Sequence, residues 1–257
     1  MTTDIQTNIE QDVLTITINR PDKKNALTQV MYQTMADALT QAGADKSVRV
    51  VVITGVNDSF TAGNDLADFL AANQAQDRNA DGVRNFMKAL FDCPKPVIAS
   101  VNGLAIGIGT TMLLHCDYVI ASDNALLKMP FSDLGLVPEF GSSVILPQMM
   151  GHIRASELLM LSTAINAEKA KDYGLVNVVC SADDLKTVTE KMAQTMADKP
   201  ASALRRTKAM MRANKDDIWA VIEKEYIEFD ACLKSPEAFE AMSSFMEKRA
   251  PNFRQFD

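Results

Sequence analysis

Histidine and cysteine are scarce in this chain, and neither is spaced for chemistry that depends on it. There are two histidines, His115 and His152, and four cysteines, Cys93, Cys116, Cys180 and Cys232, with no C-x-x-C pair among them. A zinc ribbon or a disulfide framework needs denser or paired spacing, so buried, inert thiols in a reducing compartment are expected. With so few histidines and no G-x-S-x-G elbow, the metalloenzyme and serine-hydrolase readings fall away. No run reaches the roughly 18 apolar residues of a membrane span. The opening MTTDIQTNIEQ lacks a cationic stretch ahead of an apolar one, and the closing RQFD carries no retention or peroxisomal signal. These absences point to a cytoplasmic protein with no membrane partner.

The 257 residues are 47% hydrophobic and 23% charged, enough for a sizeable core without cross-links. A net charge of −7 argues against nucleic acid as a partner. It still allows an anionic small molecule held by local Lys and Arg. Residues 13–19 (VLTITIN) alternate like a strand and end at Arg20-Pro21. A helix is expected over 28–42, with Thr28 as N-cap and Gly43 as stop. Residues 48–54 (VRVVVIT) read as a strand buried on both faces. Helices at 65–71 and 83–91 flank the polar connector NQAQDRNADG, the best candidate for a mobile segment. Strands follow at 96–101, 118–121, 125–128 and 176–179, with helices expected over 110–116, 142–150 and 154–161. From about 182 the chain reads as helical, broken at Pro200, Pro236 and Pro251. With no repeat and no low-complexity tract, this is an α/β core followed by a helical extension.

Few motifs stand out on their own. Gly107-Ile108-Gly109 suggests a dinucleotide loop, but Met112 occupies the place of the third glycine. The glycines are better read as letting backbone N–H groups approach something closely. His115, in the apolar string MLLHC, reads as a satisfied core residue. Asp65 and Glu139 both have a structural reading as first-turn acids that cap a helix. Glu139 also has a chemical reading, because Leu136, Val137 and Phe140 around it would desolvate a carboxylate. Arg20, Lys23 and Lys24 form either a solvated turn or a phosphate contact, and Arg205-Arg206 and Lys248-Arg249 are equally ambiguous.

Taken in order, several segments resemble the enoyl-CoA hydratase/isomerase (crotonase) superfamily. They are Asn19-Arg20-Pro21 through Asn25-Ala26-Leu27, Phe60-Thr61-Ala62-Gly63-Asn64-Asp65-Leu66, Pro94-Lys95-Pro96-Val97-Ile98-Ala99, Asn102-Gly103 through Gly107-Ile108-Gly109, Cys116-Asp117, Gly174-Leu175-Val176 and Phe245-Met246-Glu247-Lys248-Arg249. Each piece is weak, but the ordered set is specific and covers nearly the whole chain. The resemblance implies an α/β spiral of ββα turns over 1–195 and a helical trimerisation region over 196–257. It further implies an oxyanion hole from the backbone N–H groups of Asn64 and Ile108.

The departures from the family pattern bear on the reaction. Hydratases of this family carry one glutamate after the glycine-rich turn and another after a proline in the next segment. Those places hold Thr111 and Phe131 here. The run Pro130 to Gly135, with Pro138-Glu139 and Ser142-Ser143, resembles the Δ3,Δ2-enoyl-CoA isomerases of the peroxisomal type, in which the glutamate at this position moves the proton. The resemblance therefore implies an isomerase acting on 3-enoyl-CoA with Glu139 as single acid–base. It implies no metal and no cofactor beyond the CoA of the substrate, and a homotrimer or dimer of trimers. Phosphate contacts are expected from Arg20, Lys23, Lys24 and, across a trimer interface, Lys248. Leu66, Phe69, Leu70, Phe86, Phe131, Leu136 and Phe140 are candidates for an acyl channel, although each also reads as core. Ala26, Ala62 and Asp65 complete the expected substrate contacts. An atypical hydratase and a non-catalytic acyl-CoA-binding protein are the alternatives.

Overall fold

A computed structural model describes residues 4–65, 68 and 82–256. The expected helix over 65–71 falls outside these residues except at its start and at Asp68, as does nearly all of the polar connector. The chain packs as two compact units, Met1–Leu127 with Ile165–Ala213 and Lys128–Ala164 with Asn214–Asp257.

Two sheets organise the first unit. One has the order β1-β2-β3-β5-β7-β10, where β1 is Ile5–Glu10, β2 Val13–Ile18, β3 Val50–Gly55, β5 Val97–Val101, β7 Tyr118–Ser122 and β10 Val178–Cys180. The other runs β4-β6-β8-β9, with β4 Ser59–Thr61, β6 Leu104–Ile106, β8 Leu126–Lys128 and β9 Ile165–Asn166. From β3 to β8 the chain alternates between the sheets, and each turn lays its strand beside that of the turn before. The result is the expected α/β spiral of ββα turns. β1 is antiparallel to β2, while β2, β3, β5, β7 and β10 are parallel.

The continuous apolar runs of β3 and β5 arise because both faces are covered. Val50, Val52, Ile98 and Ile120 form a buried cluster with Leu185, Ala193 and Ala197 of the helix Leu185–Ala197. The helix Gln29–Ala44 packs against Gly82–Asp92, with the Tyr32 and Phe86 ring centroids 5.6 Å apart. Thr28 caps the first of these, its side chain accepting from the Met31 N–H, and the helix runs past Gly43 to Ala44.

Two asparagines, Asn25 fully buried and Asn102 half-buried, brace the corner between β3 and β4. Asn25 Nδ2 donates to the Val56 and Ser59 carbonyls at 3.1 and 2.5 Å. Asn102 Nδ2 donates to the Asn57 carbonyl at 2.8 Å. Lys95 is also structural, its ammonium donating to the Asp45 and Val48 carbonyls.

The second unit comprises the 3-10 turn Ser132–Leu134 and the helices Ser142–Met150, His152–Leu159, Lys215–Cys232 and Pro236–Glu247. Phe131 meets Phe229 edge-on with centroids 6.3 Å apart. Among the described residues no helix is long and apolar enough to cross a membrane.

Candidate active site

The sheet register places two backbone donors just beyond the ends of neighbouring strands. β4 and β6 are parallel neighbours, with Ser59 opposite Leu104 and Thr61 opposite Ala105. Asn64 and Ile108 each stand three residues beyond the Thr61–Ala105 pair, past an irregularity that shifts the register between Ser59 and Thr61. A Cβ on Gly63 would lie 2.9 Å from the Ile106 carbonyl oxygen, so only glycine permits this approach. Gly107 turns the second chain with φ +58° and ψ −120°, a conformation that side chains oppose.

The N–H groups at these two positions are left over. On one side of the Asn64 segment, the Leu27 N–H donates to the Gly63 carbonyl at 2.8 Å and the Leu27 carbonyl accepts from Asp65 N–H at 2.9 Å. The intervening Asn64 N–H has no acceptor among the described residues. The same holds for Ile108 N–H, a first-turn donor of the helix Ile108–Thr111. The Asn64 side chain is fastened separately, accepting from the buried Tyr32 hydroxyl at 2.5 Å.

The loop before this strand is held from within. Arg20 Nη1 donates to the Ala26 carbonyl at 2.9 Å and to Asp65 Oδ2 at 2.7 Å. Asp65 Oδ1 accepts from Asp68 N–H at 3.2 Å, the capping bond of the structural reading. The pair with Arg20 was invisible in the sequence. Ala62 N–H donates to the Lys24 carbonyl at 3.0 Å. Arg20 is thus engaged inside the protein, whereas Lys23 and Lys24 are exposed and have no side-chain partner among the described residues.

Glu139 lies in the second unit, at 6% exposure. Its carbonyl accepts the Ser142 N–H at 3.1 Å and the Ser142 hydroxyl at 2.6 Å. Phe140 and Gly141 follow with φ of +57° and +76°, two left-handed residues in succession. Glu225 receives the far side of this reversal: Oε2 accepts from Gly141 N–H at 2.5 Å, and Oε1 from Ser143 N–H at 2.9 Å and Ser143 Oγ at 2.5 Å. Burial pushes the Glu225 carboxyl above its ordinary range, while the bonds from Ser143 and Gly141 pull it back.

Phe131 and Phe140 are buried and Leu136 half-buried, all in the second unit. Leu66, Phe69 and Leu70 lie outside the described residues. Phe86 is core beneath Tyr32, and Lys248 is exposed. Thr111 is fully buried in the helix Ile108–Thr111. His115 is a core residue, its ring edge-on to Phe91 at 5.5 Å. Among the described residues no group of three or more His, Cys, Asp or Glu could hold a metal ion. Tyr32 and Glu225 are the contributors that pattern reasoning missed. Each sits in an ordinary helix, and its partner is remote in sequence.

Comparison with known proteins agrees with this fold. The sequence profile described as enoyl-CoA hydratase/isomerase matches residues 8–256. Enoyl-CoA delta isomerase 2 of Rattus norvegicus is 38% identical over 245 residues; the match covers 93% of this chain but only 62% of that protein's length. A crotonyl-CoA hydratase of Syntrophomonas wolfei is 36% identical, covering 95% of each chain. The crystal structure of an enoyl-CoA hydratase/isomerase from Pseudoalteromonas atlantica T6c superposes with a TM-score of 0.93 at 38% identity, covering 98% of this chain and 100% of that one. A spiral of paired sheets and a match across almost the entire length leave one assignment: this chain belongs to the enoyl-CoA hydratase/isomerase (crotonase) superfamily.

Proposed function

We propose that the protein is a Δ3,Δ2-enoyl-CoA isomerase with Glu139 as its single acid–base. The observation that carries this reading is a buried carboxylate, Glu139 at 6% exposure, in a chain whose two hydratase positions hold Thr111 and Phe131. Similarity to enoyl-CoA delta isomerases supports it.

In this mechanism the Glu139 carboxylate takes a proton from C2 of a 3-enoyl-CoA. The electron pair moves into the thioester carbonyl, and the dienolate oxygen accepts from the Asn64 and Ile108 N–H groups. Loss of one such donor costs roughly 3–4 kcal/mol of transition-state stabilisation. Glu139, now the acid, returns the proton to C4 and leaves the conjugated 2-enoyl-CoA. One group serves both steps when C2 and C4 present the same face to it. Substrate and product are isomers, so the reaction has no redox partner, and CoA arrives as part of the substrate. Lys23 and Lys24 meet its phosphates, joined by Lys248 of a neighbouring subunit in a homotrimer built on the helices after residue 196. The compartment in this reading is the cytoplasm.

Water addition to a 2-enoyl-CoA is the second reading, favoured by the 36% identity to a crotonyl-CoA hydratase. The test follows formation of the conjugated thioester from 3-enoyl-CoA with wild type and Glu139→Gln. The variant is expected to turn over roughly 10²–10⁴-fold more slowly. A near-normal rate would remove Glu139 from the mechanism, and 3-hydroxyacyl-CoA as the main product from 2-enoyl-CoA would favour the hydratase.

A further inference from the structure

Glu225 is a buried carboxylate that the proposed reaction does not use. It is 8% exposed, lies on the helix Lys215–Cys232, and all three of its hydrogen bonds go to the two residues flanking Ser142. A carboxylate taken out of water is costly unless it is hydrogen-bonded. Here three donors offset that cost, each strengthened by the ionised acceptor.

The segment it holds is the one that aims Glu139. Phe140 is 1% exposed and takes φ +57°, an uncommon conformation for a bulky side chain. Gly141 continues at φ +76°. After two left-handed residues the N–H groups of Gly141 and Ser143 converge on one carboxylate. On the other side of the turn, Ser142 ties back to the Glu139 carbonyl at 2.6 Å. The backbone leaving Glu139 is therefore set by a bond to its own carbonyl and by an anion two and four residues further on.

We infer that Glu225 is a positioning residue for Glu139: its carboxylate fixes the Phe140–Gly141 reversal and so the direction in which the Glu139 side chain leaves the backbone. This rests on the reading of Glu139 as the acid–base. Glu225 does not touch the substrate; it acts through the loop.

Glu225→Gln keeps the shape but turns an NH2 group toward one of the three donors. At a temperature where the variant is fully folded by circular dichroism, kcat should fall by roughly 10–100-fold, the scale of a displaced catalytic group. KM should stay within about threefold, because the change acts on the proton transfer and not on uniform binding. The discriminating measurement adds Glu225→Gln to Glu139→Gln. A residue acting through Glu139 has nothing left to position there, so the residual rate should not fall further. An unchanged kcat in the single variant, or an equal fractional loss in both backgrounds, would overturn the inference. Should Glu225→Gln not fold, Ser143→Ala removes one donor and keeps the carboxylate. A severalfold lower kcat then supports positioning, and a wild-type kcat assigns Glu225 to stability alone. A near-normal Glu139→Gln rate sinks the reading of Glu139. Loss in Glu139→Gln with wild-type kcat in Glu225→Gln sinks only the positioning role.

Discussion

The Tyr32 hydroxyl donates to the Asn64 side-chain oxygen at 2.5 Å, so the helix Gln29–Ala44 holds the residue whose N–H is a proposed oxyanion donor. Tyr32 is 1% exposed and packs on Phe86, so its ring stays in place without the hydroxyl. Tyr32→Phe should lower stability by about 0.5–1.5 kcal/mol, the net value of one hydrogen bond. It should also lower kcat severalfold with KM little changed, because Asn64 loses the bond that orients it. Denaturant unfolding and steady-state turnover check the two effects separately.

The glycines of the second donor segment fail in different ways when substituted. A Cβ on Gly107 would meet nothing within 4 Å, so Gly107→Ala is opposed only by its backbone angles, at a cost of about 1–3 kcal/mol. A Cβ on Gly109 would lie 2.6 Å from Thr61 Cγ2. Thr61→Ser deletes that methyl but keeps the hydroxyl, which donates to the Asn25 carbonyl at 2.7 Å. It should therefore partly rescue Gly109→Ala and leave Gly107→Ala unrescued. Stability measured around both double-mutant cycles decides this.

Legibility in the sequence followed the length and periodicity of each element. β3 and β5 were readable because burial on both faces demands an unbroken apolar run. The helix Ser142–Met150 matched at both ends. β1 was missed because five of its six residues are exposed, and because its hairpin turns through Gln11 and Asp12 at φ +49° and +64° without glycine. β4, β6 and β9 have only two or three residues, too few to show a period. The motif Gly63-Asn64-Asp65 drew attention to the donor segment, but Arg20–Asp65, Tyr32–Asn64 and Glu225–Gly141 are long-range contacts that no local pattern encodes. Several matched motif residues, Asn25, Lys95 and Asn102 among them, hold the fold and explain why the family was easier to read than the reaction.

The Cys116 thiol donates to the Met112 carbonyl at 3.5 Å, and burial, assisted by the Asp117 charge, pushes it up to about 12. An unfolded thiol releases its proton near pH 8.5. Between those values the folded chain keeps a proton that the unfolded chain has lost, so stability falls as pH rises. This contribution is complete below about pH 8.5 and has declined by about 2 kcal/mol at pH 10. Cys116→Ala abolishes it. Urea unfolding at about pH 8 and pH 10 should show wild type losing more stability than the variant by that amount. Parallel losses in the two proteins would contradict the buried-thiol assignment.

Arg20 and the pair Lys23–Lys24 share one loop, but the structure gives them different work. The Arg20 guanidinium bonds Ala26 and Asp65 within the protein, and both members of the Arg20–Asp65 pair are largely shielded, at 20% and 16% side-chain exposure. Lys23 and Lys24 present their charges to solvent. A phosphate-free thioester of the same acyl group, the N-acetylcysteamine ester, separates these roles. Arg20→Gln should lower kcat/KM by the same factor for the CoA and the truncated ester, because it loosens the Asp65 anchor next to Asn64 whichever thiol carries the acyl group. Combined Lys23→Ala and Lys24→Ala should raise KM for the CoA ester alone, by roughly 3–10-fold at low salt and less as salt screens the contact. An Arg20→Gln defect confined to the CoA ester would instead make Arg20 a phosphate ligand, and its bond to Asp65 would then have to open when substrate binds.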